Sequence, residues 1–120
     1  MEVIKIENCT GIYGLYLDEE LVYIGKTIQG FQTRYKQHKH FVEFPNDSDT
    51  QYDMYYELAA ALALGRTLQL RPIFIVETAR YNSLYNITNR DLESMEFALI
   101  TTLKPRYNVE GRRKPYRYTN

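Results

Sequence analysis

Apolar residues along this chain keep two rhythms, alternation in some stretches and three-to-four spacing in others, and the switches between them mark its elements. Two short β-branched and aromatic runs, 10–17 and 21–25, flank the acidic break Asp18-Glu19-Glu20. That pattern predicts a hairpin closed by three polar residues. Alternation puts Tyr13, Leu15 and Leu17 on one face of the first strand, with Ile12 and Tyr16 on the other. In the second strand it groups Tyr23 with Leu21, and Val22 with Ile24. Residues 31–44 take the helical period, with Phe31, Tyr35, His38 and Phe41 or Val42 on one stripe.

A loop at 45–49 follows, dense in turn formers and acid. The Ala- and Leu-rich stretch 52–64 predicts a second helix with the stripe Tyr55, Leu58, Ala59 and Leu62, ended by Gly65. Residues 70–78 hold Ile73, Phe74, Ile75 and Val76 in a row, which suits a strand buried on both faces. Thr88 or Asn89 can cap a last helix that starts near Arg90 and stops at Lys104-Pro105. Its stripe is Leu92, Met95, Leu99, Ile100 and Leu103, with Glu96 inside it. Residues 1–8 suit a short lead-in strand, and 110–120 form a polar, basic, turn-prone tail. The sum is an α+β domain, a three-stranded antiparallel sheet faced by about three helices.

Charge refines this picture. A chain of 120 residues makes one domain with a modest core, 1–110, plus the basic tail 111–120. The formal net charge is zero, yet residues 1–103 hold nine Lys/Arg against fourteen Asp/Glu (−5) and 104–120 hold six against one (+5). A polyanion therefore meets local basic patches on a repulsive body, which counts against tight non-specific binding. The single Cys9 excludes an internal disulfide and a Cys-rich zinc site. No apolar run approaches the ~18 residues of a membrane span, and no charged-then-apolar leader opens the chain. The expectation is a cytoplasmic protein without a membrane partner.

Candidate chemistry gathers at a few positions. Residues 26–40 carry Lys26, Arg34, Lys36, His38, Lys39 and His40 with no acid among them. Tyr13 and Tyr23 set hydroxyl-bearing rings on rigid strands beside these cations, an arrangement suited to work on a phosphate. Arg34 and His38 lie one helical turn apart and can reach one site. Glu96 is the anomaly, since a carboxylate on an apolar face costs several kcal/mol unless paired or metal-bound. By its position alone it fits a salt bridge to Arg34 or Lys26, or a place at the stripe's edge, as well as a metal ligand.

Gly11-Ile12-Tyr13, Tyr23-Ile24-Gly25, Arg34 with His38, Glu96, and Pro105-Arg106-Tyr107-Asn108 occur in that order over nearly the whole chain. One triplet alone would carry little weight. Together the five elements resemble the signature of the GIY-YIG nuclease family, as a stand-alone single-domain member. The resemblance implies that family's fold and a divalent-metal-dependent endonuclease, hydrolysing DNA phosphodiester bonds by one-step in-line attack of water. It implies Mg2+ (or Mn2+) held by Glu96. It also makes one motif tyrosine the base or water-positioner and the other its support. Tyr13 is preferred as base, with nearby cations needed to lower an ordinary pKa of about 10.

Arg34 then braces the non-bridging oxygens. His38 positions the water or protonates the leaving oxygen, Lys26 touches the base or the phosphate, and Asn108 ties strands together. Lys26, Arg34, Lys36, Lys39, Arg106, Arg112, Arg113, Lys114 and Arg117 are the expected DNA contacts. Arg34 sits one residue further past the second triplet than the family pattern, near Gly30, which suggests a looser turn there. No separate DNA reader is attached, so a homodimer or a recognition subunit fits the chain. Two rivals stand beside the nuclease: a catalytically idle nucleic-acid-binding module, and an RNA-directed or partner-dependent processing subunit.

Overall fold

A computed structural model of the chain describes residues 8–48, 54–76 and 88–108. β1 (Thr10–Leu17) and β2 (Glu20–Thr27) form the hairpin, and β3 (Leu68–Val76) pairs with the other side of β1. The sheet is antiparallel throughout, in the order β2-β1-β3. α1 (Phe31–Glu43), a single 3-10 turn (Pro45–Asp47), α2 (Met54–Ala63) and α3 (Asn89–Leu103) complete the described elements. The α+β architecture is as expected, with one 3-10 turn more than the three helices.

Each sheet face has its own core. Tyr13, Leu15 and Leu17 pack against Phe31 and Tyr35 of α1 and Tyr55 and Leu58 of α2. Ile12 and Ile24 pack on the other side against Leu92 and Ile100 of α3. Burying each such side chain stabilises the fold by about 1.5–3 kcal/mol. Leu103, expected on the α3 stripe, is instead exposed at that helix's end. Among the described residues, no helix is long and apolar enough to cross a membrane.

Two bulges correct the simple alternation. Val22 has no partner between the pairs Leu15–Tyr23 and Tyr16–Leu21. One extra residue resets the faces, so Val22 and Tyr23 serve the α1/α2 core while Leu21 joins Ile24 beside α3. In β3 the extra residue is Ile73, between Phe74 opposite Ile12 and Pro72 opposite Tyr13. β3 is also a sheet edge rather than a doubly buried strand: Ile73 is 37% and Ile75 53% exposed. Pro72, with no N–H to give, is tolerated in an edge strand.

The connections explain the register. The hairpin turn is Asp18-Glu19, two residues rather than three, because Glu20 already pairs with Leu17. Asp18 takes φ 56, and its carboxylate accepts from Arg66 Nε at 2.8 Å and the Thr67 N–H at 3.0 Å. α2 ends in a left-handed Gly65 (φ 89), where the Gly65 and Arg66 N–H groups return to the Leu62 and Ala61 carbonyls. α3 starts in a capping box between Thr88 and Asp91.

Gly30 (φ 117) precedes α1 and has no side chain to cap it. Asn8 reaches across instead, its Oδ1 accepting from the Gln32 N–H at 2.8 Å and the Thr33 N–H at 3.3 Å. A Cβ on Gly30 would collide with the Asn8 side chain. The turn near Gly30 is thus closed by the Asn8 cap rather than loose.

Both triplet glycines make room for a neighbour. A Cβ on Gly11 would strike the Phe74 carbonyl and the Phe31 ring, and one on Gly25 would meet the Tyr13 hydroxyl at 2.5 Å. Gly25→Ala should therefore lose about 1–3 kcal/mol of stability, the usual cost of overpacking. A urea midpoint equal to that of the parent chain would refute the close approach.

Candidate functional site at the β2 edge

Tyr13 is 1% exposed, and its hydroxyl lies 2.7 Å from Nε2 of His38 on α1. His38 is 4% exposed, and its Nδ1 lies 2.8 Å from the hydroxyl of Tyr55 on α2. The three side chains form one buried hydrogen-bonded chain from β1 through α1 to α2. The Tyr23 ring, half-buried, stands 6.4 Å from Tyr13 and 5.8 Å from His38, centroid to centroid.

These surroundings fix protonation. Burial, reinforced by Tyr23, pushes the Tyr13 hydroxyl well above its usual pKa, and the opposing charge of Arg34 does not compensate. Burial and the Arg34 charge lower His38 to about 3. Both groups are neutral at pH 7. These surroundings weigh against two of the expected roles. Tyr13 is no ready base, since its ionised form is disfavoured further than the roughly 0.1% of a free tyrosine at neutral pH. His38 is no proton donor to a leaving oxygen, because it holds no proton to spare.

The charged residues gather at the same edge strand, on its α3 side. Burial raises the pKa of Glu96, with Glu93 adding to it, while Lys26 and Arg34 pull it back. The Lys26 main chain helps a little to favour the ionised Glu96 carboxylate. The Lys26 ammonium donates to Asn89 Oδ1 at 3.0 Å, and Asn89 Nδ2 donates to Glu93 at 3.1 Å. Lys26 thus points toward α3, not toward Tyr13. Arg34 is half-buried, held by Gln37 Oε1 at 2.9 Å, and in no ion pair among the described residues.

Asn108 closes the edge. Its Oδ1 accepts from the Ile24 N–H at 2.6 Å and its Nδ2 donates to the Ile24 carbonyl at 2.8 Å. One side-chain amide thereby does the work of one residue of a fourth strand. A left-handed Lys104 (φ 48) turns the chain back from α3. Buried Tyr107, bonded to Glu57 at 3.0 Å, then anchors the segment. Both bonds go to one residue, so Asn108 ties the segment after α3 to β2 rather than joining two strands.

The expected DNA contacts divide. Lys36 is exposed. Lys39 is exposed and 4.0 Å from Glu43, and Arg106 forks onto Glu20 at 2.9 and 3.1 Å. Exposed pairs of this kind are worth about 0–1 kcal/mol, so a phosphate can displace them. Arg112, Arg113, Lys114 and Arg117 lie outside the described residues. His40 pairs with Asp47 at 3.0 Å, away from the site. An open depression of about 560 Å³ lined by Arg90, Glu93, Ser94 and Phe97 runs along exposed α3 and includes none of the tyrosines.

Sequence reasoning missed three supports. Tyr55 reads as an ordinary stripe aromatic, and only the need of a buried hydroxyl for a partner hints at more. Asn89 reads as a cap, and Gln37 carries no signal. Comparison of the chain with protein-family models, with curated proteins and with solved structures returns no match.

The His38 environment sets a pH dependence. An unfolded His38 takes a proton below 6.5, whereas the folded one stays neutral to about 3. Its stabilising share is whole above 6.5 and falls with pH, by about 1.4 kcal/mol per unit from this group alone. Urea denaturation at steps between pH 7 and pH 4 should show that slope, and His38→Gln should remove it. Parallel slopes for the two proteins would contradict the buried neutral imidazole.

Proposed function

We propose that this protein is a GIY-YIG-type endonuclease of the cytoplasm that hydrolyses DNA phosphodiester bonds with the help of a divalent metal ion. One observation carries the reading: five sequence elements spread from Tyr13 to Asn108 meet at one end of β2. There the charge of Arg34 bears at once on Tyr13, His38 and Glu96.

Each residue has work that its surroundings suit. Arg34, free of ion pairs among the described residues, offers its guanidinium fork to the non-bridging oxygens as charge builds on phosphorus. Tyr23 is half-buried where Tyr13 is sealed, so Tyr23 takes the water-facing place. Tyr13 and His38 hold the site rigid beneath it. Lys26 keeps a positive charge beside Glu96 and the phosphate path, and Asn108 holds β2 flat for docking. Lys36, Lys39 and Arg106 extend the contact along the DNA backbone.

Glu96 suits Mg2+ or Mn2+. Its partly desolvated carboxylate keeps a raised pKa despite Lys26 and Arg34, so it still lacks positive charge. Among the described residues no three His, Cys, Asp or Glu side chains gather. A single carboxylate completed by water and phosphate oxygens is a usual Mg2+ environment. When bound there, the ion supplies Lewis-acid stabilisation and a more acidic water.

Supercoiled plasmid and a structured RNA, each incubated with Mg2+, Mn2+ or EDTA, test the reading. Plasmid is expected to be nicked or cut with metal and spared with EDTA. Glu96→Gln should lower cleavage by about 10²-fold or more and weaken Mn2+ binding in calorimetry. RNA cleavage alone would move the protein to the processing class. No cleavage of either substrate would leave a binding module.

A further inference from the structure

Tyr55 is the one member of the buried hydrogen-bonded chain that none of the motif elements contains. It is 6% exposed on α2, its ring 5.3 Å from Phe41 and 5.9 Å from His38. Phenylalanine would fill the same space. The hydroxyl is what His38 uses, for among the described residues no buried side-chain nitrogen or oxygen lacks a partner.

A neutral imidazole has one donor and one acceptor nitrogen, so one tyrosine must donate to the ring while the other accepts from it. Burial decides which. Tyr13 is 1% exposed, and Nε2 of His38 is the one hydrogen-bond partner of its hydroxyl among the described residues. A sealed O–H left undonated is costly, so the Tyr13 proton goes onto Nε2.

We propose that Tyr55 is a positioning residue: its hydroxyl oxygen accepts the His38 Nδ1–H, which leaves Nε2 to accept the Tyr13 hydroxyl proton 2.7 Å away. With its proton committed to His38, Tyr13 can only accept on the reacting side. It thereby orients a donor placed there, the Tyr23 hydroxyl. This part rests on the nuclease reading; the tautomer does not.

Long-range proton–nitrogen NMR of the imidazole in the full chain reads the tautomer directly. Wild type should show Nδ1–H, while Tyr55→Phe, with no acceptor left for that proton, should show a mixture or the Nε2–H form. Plasmid cleavage by Tyr55→Phe should fall about tenfold in kcat, the scale of losing an orienting hydrogen bond, with KM within about twofold. An Nε2–H tautomer in wild type overturns the proposal, even where Tyr55→Phe fails to fold. So does a tautomer unchanged in folded Tyr55→Phe, or a kcat that does not drop. A wild-type chain with the Nδ1–H form that cuts no DNA supports the hydrogen-bond assignment and defeats the nuclease reading instead.

Discussion

The hydroxyl of Tyr13 is sealed under α1, and the hydrogen bond it shares with His38 constrains the rest of the site. A buried hydroxyl without a partner costs about 1–3 kcal/mol, as much as burying a whole aliphatic side chain returns. Helix α1 must therefore present His38 at one register only. That register sets Arg34 one turn earlier, half-buried beside Gln37. It also requires the helix to begin at Phe31, where Asn8 caps it across Gly30. On the opposite strand the ring needs space, and Gly25 provides it. A chain of local conditions from Asn8 to His38 thus follows from one pair of atoms.

The two sheet edges are treated differently, and the difference concerns function. β3 keeps a bulge and a proline, features that resist added strands, beside two exposed isoleucines that do not. At β2 the N–H and C=O of Ile24 are taken by Asn108. A residue of chemical interest thus also covers the edge. Asn108 has both ends of its amide engaged by the main chain of Ile24.

The hairpin, three helices and antiparallel sheet were legible because period and capping residues agreed locally, as at Thr88 and Gly65. The misreadings came where one residue broke a period. Val22 reversed the faces of Leu21 and Tyr23, an effect that alternation cannot anticipate without the partner strand. Ile73 and Ile75 read as buried because composition reports hydrophobicity, not position in the sheet order. At the site, which residues converge was legible from their types and order. Their protonation was not. It depends on depth, and a tyrosine beside cations reads the same whether it is sealed like Tyr13 or half-open like Tyr23.

Depth also divides the labour. One layer of the site, Tyr13, His38 and Tyr55, is buried and neutral, and in it burial outweighs the Arg34 charge at Tyr13. The other layer, Lys26, Arg34 and Glu96, is half-buried and charged. The proposed hydrolysis, which moves a proton and builds negative charge on phosphorus, cannot use the first layer directly, since each ionisation there runs against desolvation. It can use the second, where water and counter-charges are near. The neutral layer contributes by not moving. Its hydrogen bonds hold the ring of Tyr13 against α1, so that in the proposed reaction Arg34 is aimed before substrate arrives and little reorganisation is left for the transition state.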